Sequence, residues 1–348
     1  MKIIDAHTHV YNIKENYEPL YKLGKRLNYD RLNVLSLQCT GNLLQNLNCA
    51  LCKISHPEIP TYAFGGLDYK TGRDFLTQAQ NLRAMGFDGI KMLEGKPTVR
   101  KNLNKALDDP DYDAYYSYLE ETGFPVLFHV VDPPEFWDRE KVPDWAYANG
   151  WFYDESYTPY GQYYDEVENM LNKHPKIRAI FAHFYFLSGE PGKAQKFLDD
   201  HPSVSIDLTA GVEMYENFTK NPDFWHDFFI KNSDRLIFGT DSSDAPNLND
   251  DGETADGKVA LNGYAGMEIE FLKDNKIIEI FDKKIHGIGL PQDIQEKIFA
   301  ANFEKYAGET PLPMNIDLLM QEANFIKSYL KNDGDIKTLD YIVKQISG

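Results

Sequence analysis

Residues 2–10 read KIIDAHTHV. The short apolar run Lys2–Ala6 predicts a strand, and His7 and His9 stand at its end, two positions apart. In an ideal strand that spacing puts both imidazoles on one face, so an inward-facing pair converges on one point. Outward from this stretch the same kind of run recurs, at Asn33–Leu37, Thr61–Gly65, Gly89–Leu93, Pro125–Val130, Arg178–His183, Ser203–Leu208 and Arg235–Thr240. Amphipathic segments lie between them, among them Gly72–Met85, Asp113–Glu121, Tyr164–Lys173 and Gly192–Asp200. Strands alternating with helical patterns indicate βαβ units and a parallel sheet. No glycine-rich phosphate loop follows the first strand. Eight units in one run therefore fit a single-domain (β/α)8 TIM barrel better than an open doubly wound sheet.

The barrel is expected over residues 1–311, with an aromatic insertion at about 131–164 that holds Trp137, Trp145 and Trp151. A long loop after the fifth strand lies on the face where barrels keep their active sites. It reads either as a lid or substrate wall, with Trp137 contacting substrate, or as a satellite core packed on itself. Asp244–Gly263 is rich in Asp, Asn and Gly, and its Asn247, Asn249 and Asp251-Gly252 imitate the start of a calcium loop. The twelfth position is Lys258 where calcium needs a bidentate Glu, so the stretch reads as a solvated loop. Residues 312–348 read as two closing helices packed on the barrel or on a partner subunit, as in a homodimer.

Composition narrows the function. The 54 acidic against 36 basic side chains leave a net charge of −18, which argues against nucleic acid and anionic membrane surfaces as main partners. A small-molecule substrate is expected instead. A hydrophobic content of 42% excludes a disordered chain. No segment approaches the apolar length that spans a membrane, and MKIIDAHTHV lacks the apolar core of a secretory signal. Cys49 and Cys52 form a C-x-x-C, but with only Cys39 beside them they read as reduced packing thiols of a cytoplasmic protein.

His129 ends the fifth strand run (PVLFHV), His183 ends the sixth (IFAHF), and Asp241 ends the eighth (LIFGTDSS). Any one of these has a plain structural reading. A lone histidine closing a strand is usually a hydrogen-bonded core residue, and a Thr-Asp after a strand is usually a helix cap. Taken with His7 and His9 they are four imidazoles and a carboxylate at strand ends, a set suited to a divalent transition metal such as zinc. His56, His174, His201 and His226 fall in loops or at helix ends and receive no role.

Asp5-Ala6-His7-Thr8-His9, His129, His183 and Gly239-Thr240-Asp241 resemble the amidohydrolase superfamily, and within it the amidohydrolase-2 branch of metal-dependent barrels. Leu290-Pro291 followed by Ile298-Phe299-Ala300-Ala301-Asn302-Phe303 is similar to that branch's closing helix, which usually reads Gly-Asn-Ala. The resemblance covers roughly residues 1–310. It implies that His7, His9, His129 and Asp241 bind one divalent metal, zinc before manganese or iron, and that His183 and Asp241 act in catalysis. Asp5 is then a carboxylate hydrogen-bonded near the site. The implied activity is a metal-dependent hydrolase cleaving a C–O or C–N bond of a small, carboxylated metabolite. The alternative is a nonoxidative decarboxylase, since the branch contains both.

Lys91, in GIKMLE, lies where binuclear relatives carry a carboxylated lysine bridging two metals. A single metal is expected here, with Lys91 an ammonium facing the substrate or a neighbouring acid. Glu94 is either a second-metal ligand or part of the loop. Lys96, Arg100, Lys101 and Lys105 either draw an anionic substrate, with Arg100 in contact, or form a solvated positive face.

Overall fold

The computed structural model describes every residue except 12, 14–16, 210–211, 245–262, 281–282 and 348. The calcium-loop imitation lies outside these described residues. Eight strands pair in parallel, each with the next in sequence: β1 (Ile4–His9), β2 (Arg31–Leu35), β3 (Thr61–Gly66), β4 (Gly89–Gly95), β5 (Val126–Val130), β6 (Ala179–Phe181), β7 (Val204–Asp207) and β8 (Leu236–Ile237). A ninth, β9 (Ser242–Ser243), continues the chain of β8 and pairs with β1 through Thr8 and His9. Across the same seam the Ala6 N–H donates to Phe238 O at 3.1 Å. The fold is a (β/α)8 TIM barrel with a helical C-terminal extension.

Alternation divides the strands between two cores. Leu35, Tyr62, Phe64, Leu127, Ile180 and Ile237 fill the barrel with Ile4, Ala6 and Phe303 of the closing helix. Val34, Ala63, Ile90, Val126, Ala179 and Ile206 face the surrounding helices. Strands buried on both faces read as continuous apolar runs, which is why they stand out in the sequence.

Departures from regular strand geometry shape the mouth. Since Ile4 and Ala6 point into the barrel, strict alternation would send His7 and His9 outward. The register of β1 against β2 shifts between Asp5 and Thr8, and this irregularity turns both histidines in. β4 carries a similar shift between Met92 and Gly95. The sixth and eighth strands are shorter than their apolar runs. After Phe181 the chain winds left-handed, with φ between 51° and 58° from His183 to Phe186, and Asp241, at φ 56°, separates β8 from β9. Left-handed backbone costs an L-residue roughly 1–2 kcal/mol, so these turns persist only where the surroundings enforce them. Gly239 lets the last strand close on the first, because a Cβ there would lie 2.9 Å from His7 Cβ.

The extension is two helices, Ile316–Lys327 and Asp333–Ile346, packed on helices Phe75–Met85 and Gln45–Ser55. Leu319, Ile326, Leu339, Ile342 and Ile346 join the outer core, each contributing about 1.5–3 kcal/mol of apolar burial before chain entropy is charged. Asp88 ties the connection down, accepting from Leu312 N–H at 2.7 Å and from Lys53 Nζ at 2.5 Å. The insertion forms a satellite core of Phe136, Val142, Ala146 and Tyr153, covered by Trp137, Trp151, Phe152 and Tyr157. All three cysteines are buried and free. Among the described residues no helix is long and apolar enough to cross a membrane.

Candidate functional site

His7, His9 and Asp241 converge at the C-terminal mouth of the barrel, with one ligand atom from each lying within 4.8 Å of the others. Asp241 Oδ1 is 3.7 Å from His7 Nε2 and 3.1 Å from His9 Nε2. The second nitrogen of each ring is already engaged. His7 Nδ1 lies 2.8 Å from Asp207 Oδ2, and His9 Nδ1 lies 3.1 Å from Leu35 O. Both acceptors favour Nδ1–H, so both Nε2 lone pairs face Asp241, the orientation that a ligating histidine needs. Partial desolvation at the barrel mouth would by itself raise the Asp241 carboxyl. The neighbouring rings of His9, His7 and His183 outweigh that desolvation and hold the group below the usual carboxylate range. Burial, reinforced by Lys91, keeps His7 neutral. Two imidazole nitrogens and a carboxylate fit a divalent zinc, manganese or iron ion.

His129 and His183 adjoin this group. His183 Nε2 is 3.1 Å from His129 Nδ1, and the His183 ring centroid lies 5.4 Å from that of His7. His129 Nε2 in turn lies 3.1 Å from Asp132 Oδ1, so both nitrogens of His129 meet neighbours within the chain. The His183 N–H donates to Asp207 Oδ1 at 2.8 Å. Asp5 clamps the seam of the barrel: it accepts from the N–H groups of His7 (3.2 Å) and Thr240 (3.1 Å) and from Thr240 Oγ1 (2.6 Å). Burial pushes its carboxyl up to about 7.

Lys91 projects from β4, 1% exposed, and its Nζ has no hydrogen-bond partner among the described residues. Burial lowers this amine to about 8, against the pull of Asp207 and Asp241. Glu94 turns instead toward the helices. Its Oε1 accepts from Tyr69 OH at 2.9 Å, and Tyr69 OH lies 2.5 Å from Tyr112 OH in the outer layer. Burial raises Glu94 to about 7.

Each member of the basic cluster already has a neighbour within the chain. Lys96 binds Asp132 and lies over the Trp151 ring, Arg100 bonds Glu166 at 3.2 Å, Lys101 lies over Tyr157, and Lys105 pairs with Asp111. The Trp137 ring packs on Tyr153 and Tyr160 inside the insertion, its Nε1 donating to Thr158 O at 3.2 Å. Neither Arg100 nor Trp137 hydrogen-bonds His7, His9, His129, His183 or Asp241 among the described residues. Sequence reasoning passed over Asp207 and Asp132. Each had a signal, a lone carboxylate inside VSIDLT and one three residues beyond His129.

A family model described as Amidohydrolase (Amidohydro_2) matches residues 63–305. The chain belongs to this amidohydrolase family. No curated protein sequence is a significant match to it. Solved structures of like fold include an uncharacterised TIM-barrel protein, Bb4693, from Bordetella bronchiseptica, with a TM-score of 0.53 at 13% identity over 88% of this chain and 98% of that one. A 2,6-dihydroxybenzoate decarboxylase from Rhizobium is similar with a TM-score of 0.51 at 11% identity, over 88% and 98%. A dihydroxybenzoic acid decarboxylase from Polaromonas sp. JS666, solved with bound manganese and 2-nitroresorcinol, is similar with a TM-score of 0.50 at 10% identity, over 88% and 96%. At these identities the likeness is one of fold. The amidohydrolase family is metal-dependent, and His7, His9 and Asp241 form a donor set suited to that dependence.

Proposed function

We propose that this amidohydrolase is a metal-dependent hydrolase that cleaves a C–O or C–N bond of a small, carboxylated metabolite. The observation that carries the reading is the convergence of His7 Nε2, His9 Nε2 and Asp241, with the other nitrogen of each ring already bonded. These three residues would hold the cation, zinc or manganese, with His129 as fourth donor. A bound divalent cation lowers the pKa of an adjoining water from about 15.7 to about 7 and polarises a carbonyl. Asp241, ionised and 42% exposed at the mouth, takes the proton of the attacking water. His183, held through its backbone by Asp207, polarises the target carbonyl through its ring N–H, and the proton taken up by Asp241 passes to the leaving group. Lys91, a buried cation with no hydrogen-bond partner among the described residues, meets the substrate carboxylate, and its desolvated setting strengthens that pairing.

Nonoxidative decarboxylation is the second reading. It is favoured by the two dihydroxybenzoate decarboxylases of like fold and by the same buried Lys91, which suits a carboxylate about to leave. His183 would then relay a proton from water to carbon, taking one on Nδ1 as Nε2 gives one up. The test assays metal-loaded protein in parallel on lactones and amides, followed by acid release, and on hydroxybenzoates, followed by carbon dioxide release. Turnover of lactones or amides supports hydrolysis, and carbon dioxide release alone transfers the assignment to the second reading. Neither activity from protein shown to hold metal overturns both.

A further inference from the structure

The aromatic insertion reaches into the site through Asp132, whose Oδ1 lies 3.1 Å from His129 Nε2. This carboxylate is 3% exposed and follows Val131, whose φ of 58° is a left-handed setting that β-branched residues rarely adopt. Lys96 Nζ contacts both its oxygens, at 2.9 and 2.8 Å, and lies 4.5 Å from the Trp151 ring centroid. Tyr153, 1% exposed within the satellite core, donates its hydroxyl hydrogen to Asp132 Oδ2. The remaining neighbour of Asp132 is His129.

A carboxylate paired with Lys96 and hydrogen-bonded by Tyr153 has only lone pairs to offer. His129 Nε2 must therefore carry hydrogen, which leaves the lone pair of the ring on Nδ1. That Nδ1 faces His183 Nε2 at 3.1 Å, so the hydrogen between them sits on His183 Nε2. We propose that Asp132, gripped by Lys96 of the β4 loop and Tyr153 of the insertion, is a positioning residue that sets the tautomers of two histidines at once. His129 is Nε2–H and presents Nδ1, unlike His7 and His9, which present Nε2. His183 is Nε2–H, the form that can donate a hydrogen bond through Nε2. With the Nδ1 lone pair of His129 engaged by a cation, the His183 N–H loses its acceptor and is left to substrate. The insertion is thus part of the machinery rather than a cover over it. The inference rests on the reading that His129 and His183 belong to the site.

The experiment needs neither substrate nor turnover. Protein labelled with ¹⁵N-histidine and stripped of metal is observed by long-range ¹H–¹⁵N correlation at neutral pH, where Nδ1–H and Nε2–H rings give distinct patterns. His129→Gln and His183→Asn assign the signals. The expected result is Nε2–H for both histidines in the wild type. In Asp132→Leu, His129 loses its single tautomer, and zinc affinity measured by chelator competition falls about 10–100-fold. Tyr153→Phe, which keeps the ring packing, moves both readouts the same way by less. A merely structural Asp132 would lower thermal stability and leave the histidine patterns and zinc affinity of the folded variant as they were. An Nδ1–H His129 in the wild type overturns the proposal without any variant having to fold. So does an Asp132→Leu protein that keeps Nε2–H and wild-type zinc affinity. Because these signals are read without substrate, their failure is distinguishable from failure of the proposed activity.

Discussion

Asp207 Oδ2 lies 2.8 Å from His7 Nδ1, although 200 residues separate them. The other oxygen of the same carboxylate accepts the His183 N–H at 2.8 Å. One buried side chain therefore orients an imidazole of the first strand and the backbone of the turn after the sixth. Asp207→Ala removes the acceptor shared by three buried donors, the His7 ring and the backbone N–H groups of His183 and Thr209, at about 1–3 kcal/mol for each left unsatisfied. The expected loss is a few kcal/mol of stability and about 10–100-fold in metal affinity. Denaturant unfolding of the metal-free variant and chelator competition measure the two effects, and wild-type values in both would refute the role.

Metal content follows from the converging donors. Purified protein should carry close to one equivalent of zinc, manganese or iron, and the double variant His7→Ala/His9→Ala should carry none. Elemental analysis after gel filtration gives the ratio. Full retention in the double variant would remove the metal centre from these residues.

His183 tests the separation of chemistry from binding. His183→Asn should keep its metal and lose activity by about 10²-fold or more, the scale of a lost hydrogen bond to the polarised carbonyl. Metal loss in this variant would make His183 a ligand, and unchanged turnover would leave it a structural residue.

Lys91 decides between one metal and two. As an ammonium facing substrate, Lys91→Ala should leave one metal in place and raise KM before it changes kcat. Stoichiometry is measured with and without bicarbonate during reconstitution. A wild-type ratio near two that collapses in the variant would establish a bridging carbamate instead.

Glu94 gives a pH signature of stability away from the metal. Its carboxyl holds a proton up to about 7 in the folded chain against 4.5 ordinarily. The folded state therefore binds that proton more tightly than the unfolded one. The resulting advantage is complete below about 4.5 and is lost as pH rises through about 7. Glu94→Gln removes this dependence. Relative to wild type it should gain on the order of 3 kcal/mol between about pH 5 and about pH 8. Parallel unfolding curves at the two pH values check it, and an equal difference at both would mean that Glu94 titrates normally.

The barrel and its strand-end histidines were legible because both are local. A strand buried on two faces must be apolar along its length, and a parallel strand ends at the mouth where chemistry is done, so LIFGTD and PVLFHV carry their own address. Residue order alone could not say which way those side chains point. Alternation from Ile4 and Ala6 would have turned His7 and His9 out of the barrel, and the irregular register between Asp5 and Thr8 turns them in. The left-handed backbone at Phe184, Tyr185 and Phe186 likewise arises from packing, since bulky aromatic residues rarely adopt it. Charge partners are the other tertiary decision. Arg100 looked available for substrate and is paired with Glu166 across 66 residues, while Asp207 and Asp132 acquire meaning only beside His7 and His129. Local patterns of polarity encode burial and periodicity. Hydrogen-bond partners distant in the chain are chosen when the barrel closes, because only then does desolvation make an unpaired polar group costly.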